Sequence, residues 1–213
     1  MQITIHTIAT GKSKEFSISE KTFHSAYKKD IFHSSILVNL LGLLEDNQVD
    51  KRYHGGVDKA IHIGSSKHFE IFEKLNNKKL DPLAIGCNIF INDYDESEIC
   101  VGDIYSIGDI LIEVSQPRQP CWKIGALFGK EVSRYISKQH ATGWYARVLK
   151  EGNLNVNDKM VLEQRVSIIT IKELSIYLNT PPKDDKKLID TILSTKSLAQ
   201  SYKDDLEISL RKR

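Results

Sequence analysis

The segment ICVGDIYSIGDILIEVSQP, residues 99–117, constrains the fold of this chain more than any other. Two Gly-Asp pairs, Gly102-Asp103 and Gly108-Asp109, separate short apolar pieces within it. Turn signals at this close spacing between apolar runs are typical of neighbouring strands joined by tight turns. The segment therefore predicts closely packed strands, as in a barrel or a sandwich.

Alternation along the last apolar piece indicates which of its side chains face the core. Ile110, Ile112 and Val114 lie two residues apart, with Glu113 between the last two. Because successive side chains of a strand point to opposite faces, the three aliphatic residues are predicted to point inward. Pro117 is predicted to end the strand, since proline cannot donate a hydrogen bond to a central ladder.

The remainder of the chain divides into a strand-rich first part and a helical end. Short strands are predicted at residues 2–9, 36–44, 60–63 and 88–91, with a short helix at 67–75. Near the C-terminus, Thr170-x-x-Glu173 is a capping box, and Ser197-x-x-Gln200 is predicted to cap the last of three short helices. Helices of this size are marginal alone, so we expect them to dock on the barrel or on a partner.

Charge and cysteine content exclude several functional classes. The net charge is +2, from 30 basic and 28 acidic residues, which gives no reason to expect binding to a nucleic acid duplex or a membrane. No apolar run is long enough for a transmembrane helix, and the N-terminus lacks the apolar core of a signal peptide. The three cysteines are widely spaced, which predicts no disulfide framework and favours a reducing cytoplasm.

The stretch KRYHGGVDKAIH is the first candidate for chemistry. His54, Gly55 and Gly56 form a turn whose glycines allow backbone N–H groups to approach a ligand closely. Three basic residues flank that turn: Lys51, Arg52 and Lys59. The stretch is either an anion site, for a group such as phosphate, or a glycine turn with a solvated basic rim.

The stretch SQPRQPCWKIG is the second candidate. Proline is favoured at the first position of a helix, so Pro120 is predicted to start a helix that runs through Trp122 to Phe128. Cys121 would then lie at a helix N-terminus, where the dipole and the neighbouring Arg118 favour the thiolate. The alternative is a buried cysteine that packs beside Trp122.

Other motifs are weaker or missing. In TGWYARVLKEG, Arg147 lies among packing residues; it is either a residue whose aliphatic stem covers apolar surface, which we favour, or an anion ligand. The seven histidines show no pair at the spacing of a zinc motif. The chain contains no dinucleotide fingerprint, P-loop or G-x-S-x-G nucleophile motif.

Three blocks taken together resemble a known family. YHGGVDKAIH, then VSQPRQPCWKIG, then TGWYARVLKEG match in order and separation the MOSC family, named for the C-terminal domain of molybdenum cofactor sulfurases. The linking segments LGLLEDNQVD and IGCNIF match as well. The resemblance covers residues 2–163, and the helical end resembles the three-helix segment of the stand-alone bacterial YiiM-type subfamily.

The resemblance implies a fold, a cofactor and an activity. The fold would be a mostly β, barrel-like MOSC domain at residues 1–163, with short helices, followed by a three-helix segment at 164–213. The cofactor would be the molybdenum cofactor, a pterin that carries a phosphate and a dithiolene-bound metal. YiiM-type members are similar to reductases of N-hydroxylated compounds such as 6-hydroxylaminopurine. They would take electrons from a separate, flavoprotein-like reductase.

The resemblance also assigns roles to residues. Cys121 matches the family cysteine and would be the catalytic group and the molybdenum ligand. The cofactor-binding residues would be His54, Gly55, Gly56, Lys59, Asn88, Arg118 and Arg147. One departure stands out: the family usually has Gly-Glu-Asn where this chain has Gly86-Cys87-Asn88. Asn88 can still form hydrogen bonds, whereas any role of the acid is in doubt, and Cys87 is either inert or a second reactive thiol.

Two other functions remain open at the level of sequence. The domain could carry the cofactor, or carry sulfur as a persulfide on Cys121, without turnover of its own. A third possibility is a cysteine-dependent hydrolase that uses Cys121 and His54, which requires the two side chains to be in contact.

Overall fold

A computed structural model of the protein describes residues 1–18, 21–50, 55–76, 79, 83 and 85–211. The strands are β1 Gln2–Thr10, β2 Lys14–Ile18, β3 Lys21–Ser25, β4 Asp30–Phe32, β5 Ile36–Asn39, β6 Gly42–Leu43, β7 Ile61–Ser65, β8 Ile89–Ile91, β9 Ile104–Ile107, β10 Ile110–Pro117, β11 Trp144–Lys150, β12 Gly152–Leu154 and β13 Lys159–Gln164. The helices are α1 Lys67–Asn76, α2 Trp122–Phe128, α3 Lys130–Gln139, α4 Ile171–Asn179, α5 Lys186–Ser194 and α6 Gln200–Arg211, with a 3-10 turn at Val57–Lys59.

Among the described residues, seven strands close into a barrel. They follow the order β13, β9, β10, β11, β7, β8 and β1, and β1 pairs back onto β13. Neighbouring strands are antiparallel except β7 and β8, which are parallel. Strand β4 extends the sheet beside β1, while β5, β6 and β12 form a small separate sheet and β2 and β3 a hairpin. The mostly β barrel is therefore confirmed, and the sandwich alternative is excluded.

The strands predicted within residues 99–117 are present and form part of the barrel wall. Strands β9 and β10 form a hairpin through Gly108-Asp109, where Gly108 has a φ of +54°, a conformation that favours glycine. Ile110, Ile112 and Val114 are at most 1% exposed and belong to the main core. Strand β10 ends at Pro117, as predicted.

A smaller core lies between the barrel and helices α1, α2 and α3. Phe72 of α1, Ile124 of α2 and Ile136 of α3 are each at most 1% exposed and pack in one cluster with Phe90 of β8. This cluster fixes the position of α2, which begins directly after Cys121. Packing of α2 in the smaller core therefore also fixes the position of Cys121, the candidate thiol.

The C-terminal helices pack onto the barrel. Leu174 of α4, Ile192 of α5 and Leu206 of α6 are fully buried in the main core together with the barrel strands. The capping box that begins α4 is present, since Glu173 N donates to Thr170 Oγ1 at 3.1 Å and Thr170 N donates to Glu173 Oε2 at 2.8 Å. Docking on the barrel, one of the two expectations, is thereby confirmed.

The start of α6 differs from the prediction. Ser197 lies three residues before the helix, and its hydroxyl donates to Glu113 Oε1 at 2.8 Å. The first turn is instead closed at Ala199 O, which accepts from Tyr202 N at 3.1 Å. Ser197 therefore links the approach to α6 with β10 of the barrel and does not cap the helix. No helix in the described ranges combines the length and apolar character needed to cross a bilayer.

Candidate functional site

A cleft with two adjoining chambers opens beside the end of β10. The inner chamber is a cavity of about 80 Å³ and the outer one a cavity of about 490 Å³. Four residues line both chambers: Asp50, Lys59, Lys123 and Tyr145. Arg118 lines the inner chamber and Cys121 the outer one. The two most informative residues of SQPRQPCWKIG therefore meet in one cleft.

Arg118 is a buried cation with unused hydrogen-bonding capacity. Its backbone is held by Gly143 O, which accepts from Arg118 N at 3.0 Å, and by the Thr142 hydroxyl, which donates to Arg118 O. The side chain is 3% exposed and lies over the ring of Tyr27, 5.3 Å from its centroid. Nη2 donates to Cys121 Sγ at 3.6 Å, whereas Nη1 is buried without a partner among the described residues. Because an unsatisfied buried charge is unfavourable, this nitrogen marks a place for an anion.

Cys121 is accessible and precedes helix α2. It adopts an extended conformation at the N-cap, and Trp122 is the first helical residue. Pro120 therefore lies two residues before the helix and not at its first position, because Cys121 must remain extended to serve as the cap. Trp122 is 58% exposed and contacts the edge of Phe23 in β3, with centroids 4.7 Å apart. The partly exposed thiol is thus not fully buried core packing.

Basic side chains surround the inner chamber. Lys29 is buried in an ion pair with Asp46, at 2.5 Å between Nζ and Oδ1. Burial lowers the pKa of Lys59, and the nearby carboxylates Asp205 and Asp58 oppose that shift. Asp46 balances the charge of Lys29, so the positive charge of the chamber comes from Arg118, Lys59 and Lys123, which suits a phosphate.

His62 and Asn88 form the rear wall of the inner chamber. His62 Nε2 lies 2.8 Å from Thr142 O, and Nδ1 lies 3.3 Å from Gly86 O. Burial, assisted by the charge of Arg118, holds the pKa of His62 well below its ordinary value, so the ring is neutral. Asn88 uses both ends of its amide: Oδ1 accepts from His62 N at 3.1 Å, and Nδ2 donates to a backbone carbonyl of β1. These two residues position the wall and carry no charge.

The predicted site residues of the His54-Gly55-Gly56 turn are only partly described. His54 falls outside the described residues, as do Lys51 and Arg52. Gly55 and Gly56 are described but line neither chamber. Gly56 has a φ of +96°, so the turn itself requires glycine.

Arg147 and Cys87 are also away from the cleft lining. Arg147 donates from Nε to Asp58 Oδ1 at 2.8 Å and from Nη1 to Glu113 Oε2 at 2.5 Å. Two carboxylates thus occupy this guanidinium, which agrees with the structural interpretation of Arg147. Cys87 is 0% exposed in the smaller core, where access for thiol chemistry is lacking.

The cleft also contains residues that sequence patterns did not indicate. Tyr27 and Lys29 come from the segment after β3, and burial raises the pKa of Tyr27. Asp205 of α6 lines the outer chamber and accepts from Gln119 Nε2 at 2.8 Å. Ser201, also of α6, donates to Gln116 Oε1 at 2.8 Å. A helix of the C-terminal segment is therefore part of the cleft, and no local motif identifies that contribution.

A family model describes the part of the chain that carries this cleft. The MOSC domain model matches residues 50–161, which include Lys59, Asn88, Arg118 and Cys121. The chain belongs to the MOSC domain family. Within this MOSC protein, the match ends before the C-terminal helices that complete the outer chamber.

Similar proteins support this family assignment, and their matches cover residues beyond those of the family model. Protein YiiM of Escherichia coli (strain K12) is 29% identical over 182 residues, 84% of this chain and 81% of that protein. A protein of Gibberella moniliformis named reductase is 29% identical over 164 residues, 74% of this chain but only 29% of that protein. The crystal structure of YiiM from Geobacillus stearothermophilus superposes with a TM-score of 0.79 at 27% identity, and covers 98% of this chain and 99% of that one. This MOSC protein is thus similar in overall structure to the stand-alone YiiM proteins.

Proposed function

We propose that this MOSC protein binds the molybdenum cofactor in the two-chambered cleft and reduces N-hydroxylated compounds such as 6-hydroxylaminopurine. The observation that carries the proposal is the buried Arg118, with its unpartnered Nη1, beside the accessible thiol of Cys121. An anionic cofactor needs the first feature, and a soft, redox-active metal needs the second. The relative named reductase supports the class of reaction.

The inner chamber suits the phosphate of the cofactor. Arg118 can offer a two-pronged hydrogen bond to phosphate oxygens, and Lys59 adds positive charge at the same wall. Tyr27 covers the guanidinium, which keeps its planar group in one orientation. His62 contributes no charge because it is neutral, so the anion is balanced by the arginine and the lysines.

The outer chamber suits the metal end of the cofactor and the substrate. Its volume of about 490 Å³ falls within the ~300–1,000 Å³ of small-molecule sites. Cys121 Sγ would ligate molybdenum, and Arg118 Nη2 orients this sulfur. Gln116 and Asp205 line the same chamber and would supply polar groups for orienting a substrate. When bound, the cofactor would supply the two-electron chemistry.

The overall reaction is balanced by an external electron donor. An N-hydroxylamine, two electrons and two protons give an amine and water, with cleavage of the N–O bond. We propose a separate, flavoprotein-like reductase as the electron donor, as the resemblance to YiiM-type proteins implies. We also propose a cytoplasmic location, as the wide spacing of the three cysteines in the sequence predicts.

Substitution of Cys121 tests the proposal. The protein is produced in a host that makes the molybdenum cofactor, and metal content and reduction of 6-hydroxylaminopurine are measured on fresh preparations. The parent should retain molybdenum, and Cys121→Ser should lose reductase activity while its circular dichroism is unchanged. Cys100→Ala is the matched control, since Cys100 is a buried thiol that lines neither chamber. A Cys121→Ser variant as active as the parent contradicts the proposal.

The same preparation separates an enzyme from a carrier. With an artificial electron donor in excess, an enzyme turns over repeatedly. Stoichiometric cofactor binding without turnover would assign a carrier role to the cleft instead.

A further inference from the structure

A buried cluster of one histidine and two carboxylates lies outside the cleft. His68 is in the first turn of α1, and Asp95 and Glu96 are in the loop that follows β8. His68 Nε2 lies 3.5 Å from Glu96 Oε2 and 3.9 Å from Asp95 Oδ2. One potential ligand atom of each residue lies within 4.8 Å of the other two.

Two polar atoms of this cluster are buried without a hydrogen-bond partner among the described residues, whereas Asp95 is partly exposed and accepts from Ser97 N. Glu96 is 2% exposed, and its Oε2 has no hydrogen-bond partner among the described residues. His68 is 8% exposed, and its Nδ1 is buried without a hydrogen-bond partner among the described residues. A buried carboxylate oxygen without a donor is unfavourable by several kcal/mol unless a cation neutralises it. An unpartnered Glu96 Oε2 that faces His68 is therefore a specific sign of a missing ligand.

The distance of 3.5 Å between His68 Nε2 and Glu96 Oε2 fits two ligands of one metal ion, and the 3.9 Å to Asp95 Oδ2 requires a small inward shift of that carboxylate on binding. Separations of 3.5 and 3.9 Å exceed those of normal N–H···O hydrogen bonds. With metal–ligand bonds of about 2.0–2.2 Å, neighbouring ligands of a tetrahedral ion lie about 3.3–3.6 Å apart. We propose that His68 Nε2, Asp95 Oδ2 and Glu96 Oε2 bind one divalent transition-metal ion, with Zn²⁺ as the best match and water as the fourth ligand.

The charges of the cluster residues and their neighbours also favour a divalent metal ion. A divalent ion balances the two carboxylates, whereas a protonated His68 balances only one of them. Lys67 lies 3.8 Å from Asp95 Oδ2 but is engaged more closely by Glu98 Oε2, at 2.6 Å. The nearest lysine is thus shared with another acid and does not neutralise Glu96. Imidazole and carboxylate ligands together suit zinc.

The proposed ion would stabilise the backbone that carries Arg118 of the cleft. Glu96 Oε1 accepts from Gly143 N at 2.7 Å, and Gly143 O accepts from Arg118 N at 3.0 Å. Gly143 has a φ of +77°, and a Cβ atom there would lie 2.1 Å from Ile63 O, so this position requires glycine. Through the N–H and the C=O of this one residue, the metal site is connected to the backbone from which Arg118 extends, and the ion would have a positioning role.

Zinc binding to the full-length chain tests this inference independently of reductase activity. The protein is stripped of metal with a chelator, dialysed against Zn²⁺ and analysed for metal content and thermal unfolding. The parent should bind one Zn²⁺ per chain with a rise in melting temperature, and His68→Gln should lose both. His24→Gln is the matched control, because His24 also faces a carboxylate, Glu15 at 3.6 Å, but is exposed. It should bind Zn²⁺ like the parent.

Two further variants test whether the ion is bound by the cleft thiol and whether Asp95 is a ligand. Cys121→Ser should retain the ion, which separates this site from metal capture by the cleft thiol. Asp95→Asn keeps a side-chain acceptor for Ser97 N and should fold, yet bind Zn²⁺ at least tenfold more weakly. In a Co²⁺-loaded parent, d–d absorption without a sulfur charge-transfer band is expected. Retention of one Zn²⁺ in His68→Gln, or its loss in Cys121→Ser, would overturn the inference.

Discussion

At the scale of single residues, Arg118 is explained by ligand binding better than by the stability of the fold. Its guanidinium is buried, contacts a thiol and a tyrosine ring, and pairs with no carboxylate among the described residues. A buried charge of this kind contributes little to the folded state by itself, because its dehydration is not compensated. Its presence is explained by an anionic ligand that supplies the missing partner.

Substitution of Arg118 should leave the stability of the ligand-free protein nearly unchanged and abolish its stabilisation by phosphate. Arg118→Met should change the free energy of unfolding by less than about 1 kcal/mol, or raise it, since it removes an uncompensated buried charge. The parent should gain melting temperature when inorganic phosphate is added, and Arg118→Met should not. Differential scanning fluorimetry over a phosphate series measures both effects.

The exposed Arg134→Met of α3 is the matched control and should keep the response of the parent to phosphate. Equal phosphate stabilisation of the parent and Arg118→Met would show that the anion binds elsewhere. A loss of several kcal/mol in Arg118→Met without phosphate would instead assign Arg118 a structural role.

At the scale of elements, the ends of helices are the features most directly encoded in the chain. The Thr170 capping box is present with both of its reciprocal hydrogen bonds, because a short side chain and a glutamate three residues later satisfy N–H groups locally. Pro120 and Ser197 show the limit of such rules. Each lies near a helix start but outside the helix, because Cys121 and Ala199 take the positions that close the first turn.

The capping box gives a prediction for α4. Thr170→Ala should lower the free energy of unfolding by about 1 kcal/mol, because it removes the acceptor for Glu173 N. For a chain of this length the melting temperature should fall by about 2–4 °C. Thr191→Ala is the control: Thr191 lies inside α5, is exposed and bonds only Lys187 O with its hydroxyl. It should leave the melting temperature within about 1 °C of the parent, given typical surface effects. Equal losses in both variants would contradict the capping role.

At the scale of the whole molecule, the C-terminal helices and the barrel share one core. Tyr202 is fully buried, and its hydroxyl donates to Leu174 O at 2.7 Å. Ala199 N donates to Ser115 O, and Ile171 N donates to Ile99 O. The division at residue 163, drawn from sequence, therefore separates two parts that are joined by hydrogen bonds and apolar contacts.

The shared core predicts the outcome of truncation. A chain that ends at Gln164 should expose the apolar barrel surface that Leu174 and Leu206 cover, and should aggregate or unfold at a much lower temperature. The full chain should unfold in one cooperative transition seen alike by circular dichroism and tryptophan fluorescence. A soluble truncated chain with the melting temperature of the parent would show that the barrel folds independently. Two separate transitions in the full chain would lead to the same conclusion.

The sequence alone determined the features that depend on neighbouring residues. Alternation placed Ile110, Ile112 and Val114 in the core, Gly-Asp marked the hairpin turn, and the run through Trp122 located α2 beside Cys121. These are short-range effects of side-chain periodicity and backbone preference, and they act in any chain context. They predicted closely packed strands, in a barrel or a sandwich, and left open whether Cys121 is reactive or buried; the family resemblance implied the barrel and the reactive thiol.

The tertiary structure decided which distant residues meet. Arg147 is paired with Asp58, 89 positions away, and is thereby separated from the cleft. Asp205 reaches Gln119 across 86 positions and completes the outer chamber. Such contacts depend on how the strands close and where the last helix docks, and no local pattern encodes that arrangement. The burial of Arg118, on which the proposed function depends, likewise arises only when barrel, hairpin and helices are packed together.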